Sequence, residues 1–80
     1  MKYRMLMVDM RGMRHMSNLN KENVGRAIYE VRMRKNLLLR QIAVDAGITV
    51  SALSMIERGL RRPMDRTFYR LVLTLKKLAA

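Results

Sequence analysis

The run Leu39 to Gly59, LRQIAVDAGITVSALSMIERG, constrains the fold of this chain more than any other stretch. Ile42, Ala43 and Ala46 fall at i, i+1 and i+4, which sets them on one helical face. Gly47 follows at once, where a helix ends in a left-handed residue that glycine adopts without strain. Thr49 then stands where a new helix needs a side-chain oxygen to cap its free amides. Leu53 and Ile56 recur three apart and face the same core, and Gly59 closes the second helix.

The flanks read as helices too. Asn20 is a good N-cap, Glu22 suits the positive end of a helix dipole, and Leu19 with Val24 makes a hydrophobic staple. Val24, Ala27, Ile28 and Val31 follow as an apolar stripe, in a helix expected to end near Asn36. Pro63 is expected to initiate the last helix, with Phe68, Leu71, Val72 and Leu75 as its buried side. Lys76 and Lys77 there complement the negative end of the dipole.

Two short helices joined by a glycine turn make a helix-turn-helix, whose second helix enters a DNA major groove. At these residues the chain resembles the lambda-repressor-like family, the Cro/repressor or XRE class. The likeness is carried by Gln41-Ile42-Ala43, Gly47-Ile48-Thr49, Ser51, Leu53-Ser54, Ile56-Glu57-Arg58-Gly59 and Pro63, and runs from Val24 to about Leu75. It implies an all-α domain of four helices over residues 20–80, with a fifth helix, common in the family, left open. An extension over residues 1–19, basic and Met-rich, precedes it.

The resemblance also assigns roles. Thr49, Val50, Ser51, Ser54 and Met55 map onto positions that face the bases. None of them is Arg, Asn or Gln, so they offer no bidentate readout of guanine or adenine. Val50 and Met55 suit thymine methyls, Thr49 and Ser51 give single hydrogen bonds, and DNA shape supplies part of the specificity. Arg32, Arg40, Arg58, Arg61 and Arg62 are the phosphate-contacting candidates, with Arg32 also paired to Glu57 to tie the first helix to the third. The family usually has a Ser or Thr cap followed by Gln at the start of the second helix. Here Leu38 and Leu39 stand instead, which costs a phosphate anchor and about 1 kcal/mol of capping. Arg40 is the substitute anchor by its reach, while an exposed Leu39 would suit a protein partner.

Charge points the same way. Lys and Arg number 17 against 6 Asp and Glu, a net charge of +11, and such a field attracts polyanions. With only His15 and no cysteine, disulfides, thiol zinc sites and a histidine metal cluster are excluded within one chain. No cofactor, no metal and no catalytic site is expected. No apolar run approaches the ~20 residues of a membrane span. In the extension Tyr3, Met5 and Met7 alternate with Lys2, Arg4 and Leu6, a short-strand pattern suited to pairing across a dimer. A mobile basic tail is the other reading. The expected protein is a homodimeric transcriptional regulator of double-stranded DNA, a repressor or autoregulator. It belongs in the cytoplasm of a bacterium or encoded by a phage, at the nucleoid. The alternative is an antitoxin-type or interaction module that keeps the fold for a protein partner, motivated by Leu38, Leu39 and Leu60.

Overall fold

Left-handed residues cut this chain into its helices: Asn36, Gly47 and Gly59 have φ of +57°, +70° and +76°. The computed structural model describes residues 18–79, and within them four helices and no strand. They are α1 (Val24–Arg34), α2 (Leu39–Ala46), α3 (Val50–Glu57) and α4 (Asp65–Ala79). The first three end alike. The amide that follows the left-handed residue turns back to the last turn: Leu37 donates to Arg32 O at 2.9 Å, Ile48 to Ala43 O at 3.0 Å, and Leu60 to Met55 O at 2.8 Å. Each bond satisfies a carbonyl that the helix leaves orphaned. Gly47 and Gly59 do this at no steric cost, and Asn36 is among the side chains that best tolerate the same conformation.

The starts differ from the sequence reading in detail. Asn20 does gather amides, accepting from Glu22 and Asn23 at 2.9 Å each, but it caps a turn that precedes α1. Asn23 returns the favour by accepting from the Asn20 amide at 2.9 Å, so the pair is reciprocal. At α2, Leu38 makes no side-chain cap bond, and Gln41 instead accepts from the Leu38 amide at 2.7 Å. Half of a capping box therefore survives the loss of the hydroxyl. Thr49 caps α3, its oxygen accepting from Ala52 at 3.0 Å. Pro63 does not begin α4; it is buried, and the helix starts two residues on, at Asp65.

The core is aliphatic: Val24, Ala27, Ile28, Ile42, Ala43, Ala46, Leu53, Ile56, Leu71 and Leu75 are all buried. Phe68 and Val72, expected within it, only pack against its edge, as do Leu19, Val31 and Leu39. Leu71 and Leu75 take the centre of α4 because a helix this slender turns only a narrow stripe inward. α1 lies against α3 so closely that a Cβ on Gly25 would sit 2.1 Å from the Ile56 carbonyl oxygen. α1 and α2 each pack against both α3 and α4, whereas α3 and α4 share little contact. α3 and α4 are thus each held by α1 and α2 rather than by one another. The extension, with Tyr3, Met5, Met7 and His15, lies outside the described residues.

Candidate functional site

α2 and α3 are bent by 107° about the Gly47 turn, within the range of a helix-turn-helix. With Leu53 and Ile56 in the core, the opposite side of α3 is Ser51, Ser54, Met55 and Arg58, spaced i, i+3, i+4 and i+7. Ser51 and Arg58 are exposed, and Ser54 and Met55 half-buried. Val50 sits at the margin, 42 % exposed, and is not part of the core. Thr49 is exposed at the head of the helix; its oxygen is engaged in the cap, which leaves its O–H free to donate outward. Arg58, expected among the phosphate-contacting arginines, continues the stripe just past the end of the helix.

Arg32 and Glu57 meet as a two-toothed pair. Nε donates to one carboxylate oxygen at 2.9 Å and Nη2 to the other at 3.0 Å, with the side chains 14 % and 4 % exposed. Nη1 donates to Leu37 O at 3.1 Å, so the same guanidinium also holds the turn that leads into α2. The Glu57 hydrogen bond holds the Arg32 pKa above the usual arginine value, outweighing the burial that lowers it. Its Cζ lies 5.7 Å from the Tyr29 ring centroid, a cation–π distance. With all three nitrogens engaged inside the protein, only the outward hydrogens of Nη1 and Nη2 remain for a phosphate.

The remaining arginines differ in freedom. Arg40 on the first turn of α2 and Arg61 after α3 are exposed and have no partner among the described residues. Arg58 Nε reaches back to Ser54 O at 3.4 Å, a long bond that a phosphate readily outcompetes. Arg62 is paired with Glu22 at 3.2 Å, both side chains being about two-thirds exposed. Such an exposed pair is weak and exchangeable. Lys21 pairs with Asp65 at the start of α4, and that hydrogen bond and charge hold the Asp65 carboxyl below its usual range. Leu38 and Leu60 are 57 % and 62 % exposed, whereas Leu39 is half-buried and packs against the core.

One connection went unread in the sequence. Asp45 at the end of α2 accepts from Thr74 Oγ1 at 2.7 Å and from Lys77 Nζ at 2.6 Å, clasping α2 to α4. The Lys77 bond, then the Thr74 bond, keep the Asp45 carboxyl below the usual carboxylate range. Lys77, expected to serve the helix dipole, is committed to this clasp. Only a polar residue in an apolar stripe, Thr74 between Leu71 and Leu75, hinted at it.

A family model described as Helix-turn-helix matches residues 28–79, from the middle of α1 to the end of α4. That is more than half of the chain, which therefore belongs to the lambda-repressor-like helix-turn-helix family, a class of DNA-binding regulators. Comparison with curated proteins and with solved structures gave no match. Among the described residues no single helix is long and apolar enough to cross a membrane.

Proposed function

We propose that the chain is a sequence-specific transcriptional regulator that binds an inverted-repeat operator as a symmetric homodimer and acts as a repressor or autoregulator by occupying it. The observation that carries this reading is the outward stripe Ser51, Ser54, Met55 and Arg58 on a short helix whose other side is locked in the core. α3 enters the major groove, Thr49 and Ser51 make single hydrogen bonds to base edges, and Val50 and Met55 pack on thymine methyls. Arg40, Arg58 and Arg61 hold the phosphates, joined by Arg62 once Glu22 releases it, and Arg32 stands behind α3 as its strut. A net charge of +11 steers the encounter.

Size supports dimerisation. The domain measures 29 × 23 × 19 Å, so one copy spans less than a ~34 Å turn of DNA, and reading two half-sites one turn apart takes two copies. The reading makes the chain a binding protein and not an enzyme, working on double-stranded DNA without a cofactor in a bacterial cytoplasm, from a chromosome or a phage. Footprinting on the DNA that flanks its own gene tests it: a protected palindrome is the expected result. Salt-sensitive coating without any protected site would leave only non-specific binding and defeat the reading.

A further inference from the structure

We propose that the outer face of α4 is a docking site for an acidic amphipathic helix of a partner protein, engaged while α3 is on DNA. Arg66, Tyr69, Arg70, Leu73, Lys76 and Lys77 recur along α4 at spacings of three and four, on the side turned away from Leu71 and Leu75. Tyr69 and Leu73, four apart, are 65 % and 46 % exposed, an apolar pair one helical turn long. Beside Leu73 the foot of α2 leaves a groove of about 600 Å³, floored by Ala46 and Gly47 and edged by Arg70 and Lys77. The Asp45–Thr74–Lys77 clasp fixes its walls. An apolar side chain laid against Leu73 fills this groove, as the anchors of helix-in-groove partners do.

Charge decides the occupant. The groove is edged by Arg70, which makes only a 3.5 Å contact to Gly47 O, and by Lys76 and Lys77, while Arg66 lies one turn before Arg70 on the same face; Arg66 and Lys76 have no partner among the described residues. Asp45, the one acid at the groove, is already consumed by Thr74 and Lys77. A second copy laid antiparallel across this face would set Arg66 against Lys76 and Lys77, like against like, which works against a homodimer here. A helix with Glu or Asp around a Leu-type anchor meets complementary charge along its whole length. α4 shares little contact with α3, so a duplex held by α3 does not have to cover this face.

The probe is a fluorescent 16-residue helical peptide with Leu at i, i+3, i+4 and i+7 and Glu elsewhere, titrated by anisotropy with the full chain. The chain is used free and also saturated with a duplex. Binding should survive saturation with DNA. It should fall about tenfold or more in Tyr69→Ser/Leu73→Ser and in Arg66→Glu/Arg70→Glu, as for central anchors of an interface. Met33→Ser, an exposed apolar residue on another helix, should leave it unchanged. Displacement of the peptide by duplex, equal binding of a leucine-free polyglutamate, or equal loss in Met33→Ser would reduce the effect to general attraction and overturn the proposal. If Arg66→Glu/Arg70→Glu instead weakens duplex binding as much as Arg61→Ala, the face holds DNA and the proposal fails. Self-association abolished by Leu73→Ser would assign the face to a second copy and likewise overturn it. Retained circular dichroism in each variant separates these outcomes from unfolding.

Discussion

Arg32 is the residue on which the recognition surface depends most. Its guanidinium joins α1 to α3 through Glu57 and to the α2 entry through Leu37 O, so one side chain sets the position of both helices of the DNA-binding unit. Glu57→Ala strands a charge that is 14 % exposed and should cost about 3 kcal/mol in urea unfolding, with DNA affinity falling alongside. A double-mutant cycle with Arg32→Ala should be strongly non-additive; simple addition of the two losses would show that the pair is not coupled. The arginines outside the fold's own bonds behave differently. Arg61→Ala should weaken operator and random duplex alike and lower the slope of log K against log salt by about one unit. Loss at the operator alone would make Arg61 a reader of bases or groove shape. Arg62 was legible as a basic-loop residue, but its pairing with Glu22 was not, because forty positions separate them in sequence.

α1 and α3 approach backbone to backbone. Gly25 in the first turn of α1 allows it, and Gly25→Ala would drive a Cβ to 2.1 Å from a backbone oxygen that cannot rotate away. Alanine favours a helix by about 1 kcal/mol over glycine, yet overpacking here should win and cost about 1–3 kcal/mol net. A thermal midpoint equal to or above that of the parent chain would show that the two helices part without strain. The α2–α4 contact carries a pH dependence instead. Asp45 is held below its ordinary value in the fold, so its stabilisation is complete above the unfolded carboxylate pKa of ~3.9 and is lost as pH falls through the lower folded value. Stability should therefore decline below about pH 4, and Asp45→Asn should flatten that decline. An unaltered acid limb in urea midpoints of Asp45→Asn would place the sensitivity elsewhere, Asp65 being the other lowered carboxyl.

On the scale of the whole molecule, the described domain buries an aliphatic core without a fully buried aromatic residue, and α3 and α4 share little contact. The proposed dimer needs a surface other than the cationic α4 face, and the alternating Tyr3, Met5 and Met7 of the extension are the apolar residues the sequence offers for it. Deleting residues 1–16 should leave the helical circular dichroism intact while weakening dimerisation and operator affinity. Sedimentation showing unchanged self-association in the truncated chain would remove the extension from the interface. Both halves of the outcome are measured on the same sample, so a folding defect cannot pass for a lost contact.

The local rules written into the sequence determined a great deal. Apolar spacing placed Ile42, Ala43, Ala46, Leu53 and Ile56 in the core, Gly47 and Gly59 marked two of the three left-handed stops, and Thr49 capped α3 as a hydroxyl at that position should. The resemblance supplied the pairing of Arg32 with Glu57, which no spacing rule could give across twenty-five residues. Tertiary structure alone decided the rest. It made Gly25 a packing glycine, turned Lys77 from a dipole partner into one arm of the Asp45 clasp, sent Phe68 to the edge of the core and drew Leu39 half under cover. The physical reason is common to all four. Periodicity states which side of a helix is apolar, but how close two helices approach, and which polar groups meet across the gap, depends on side chains distant in sequence.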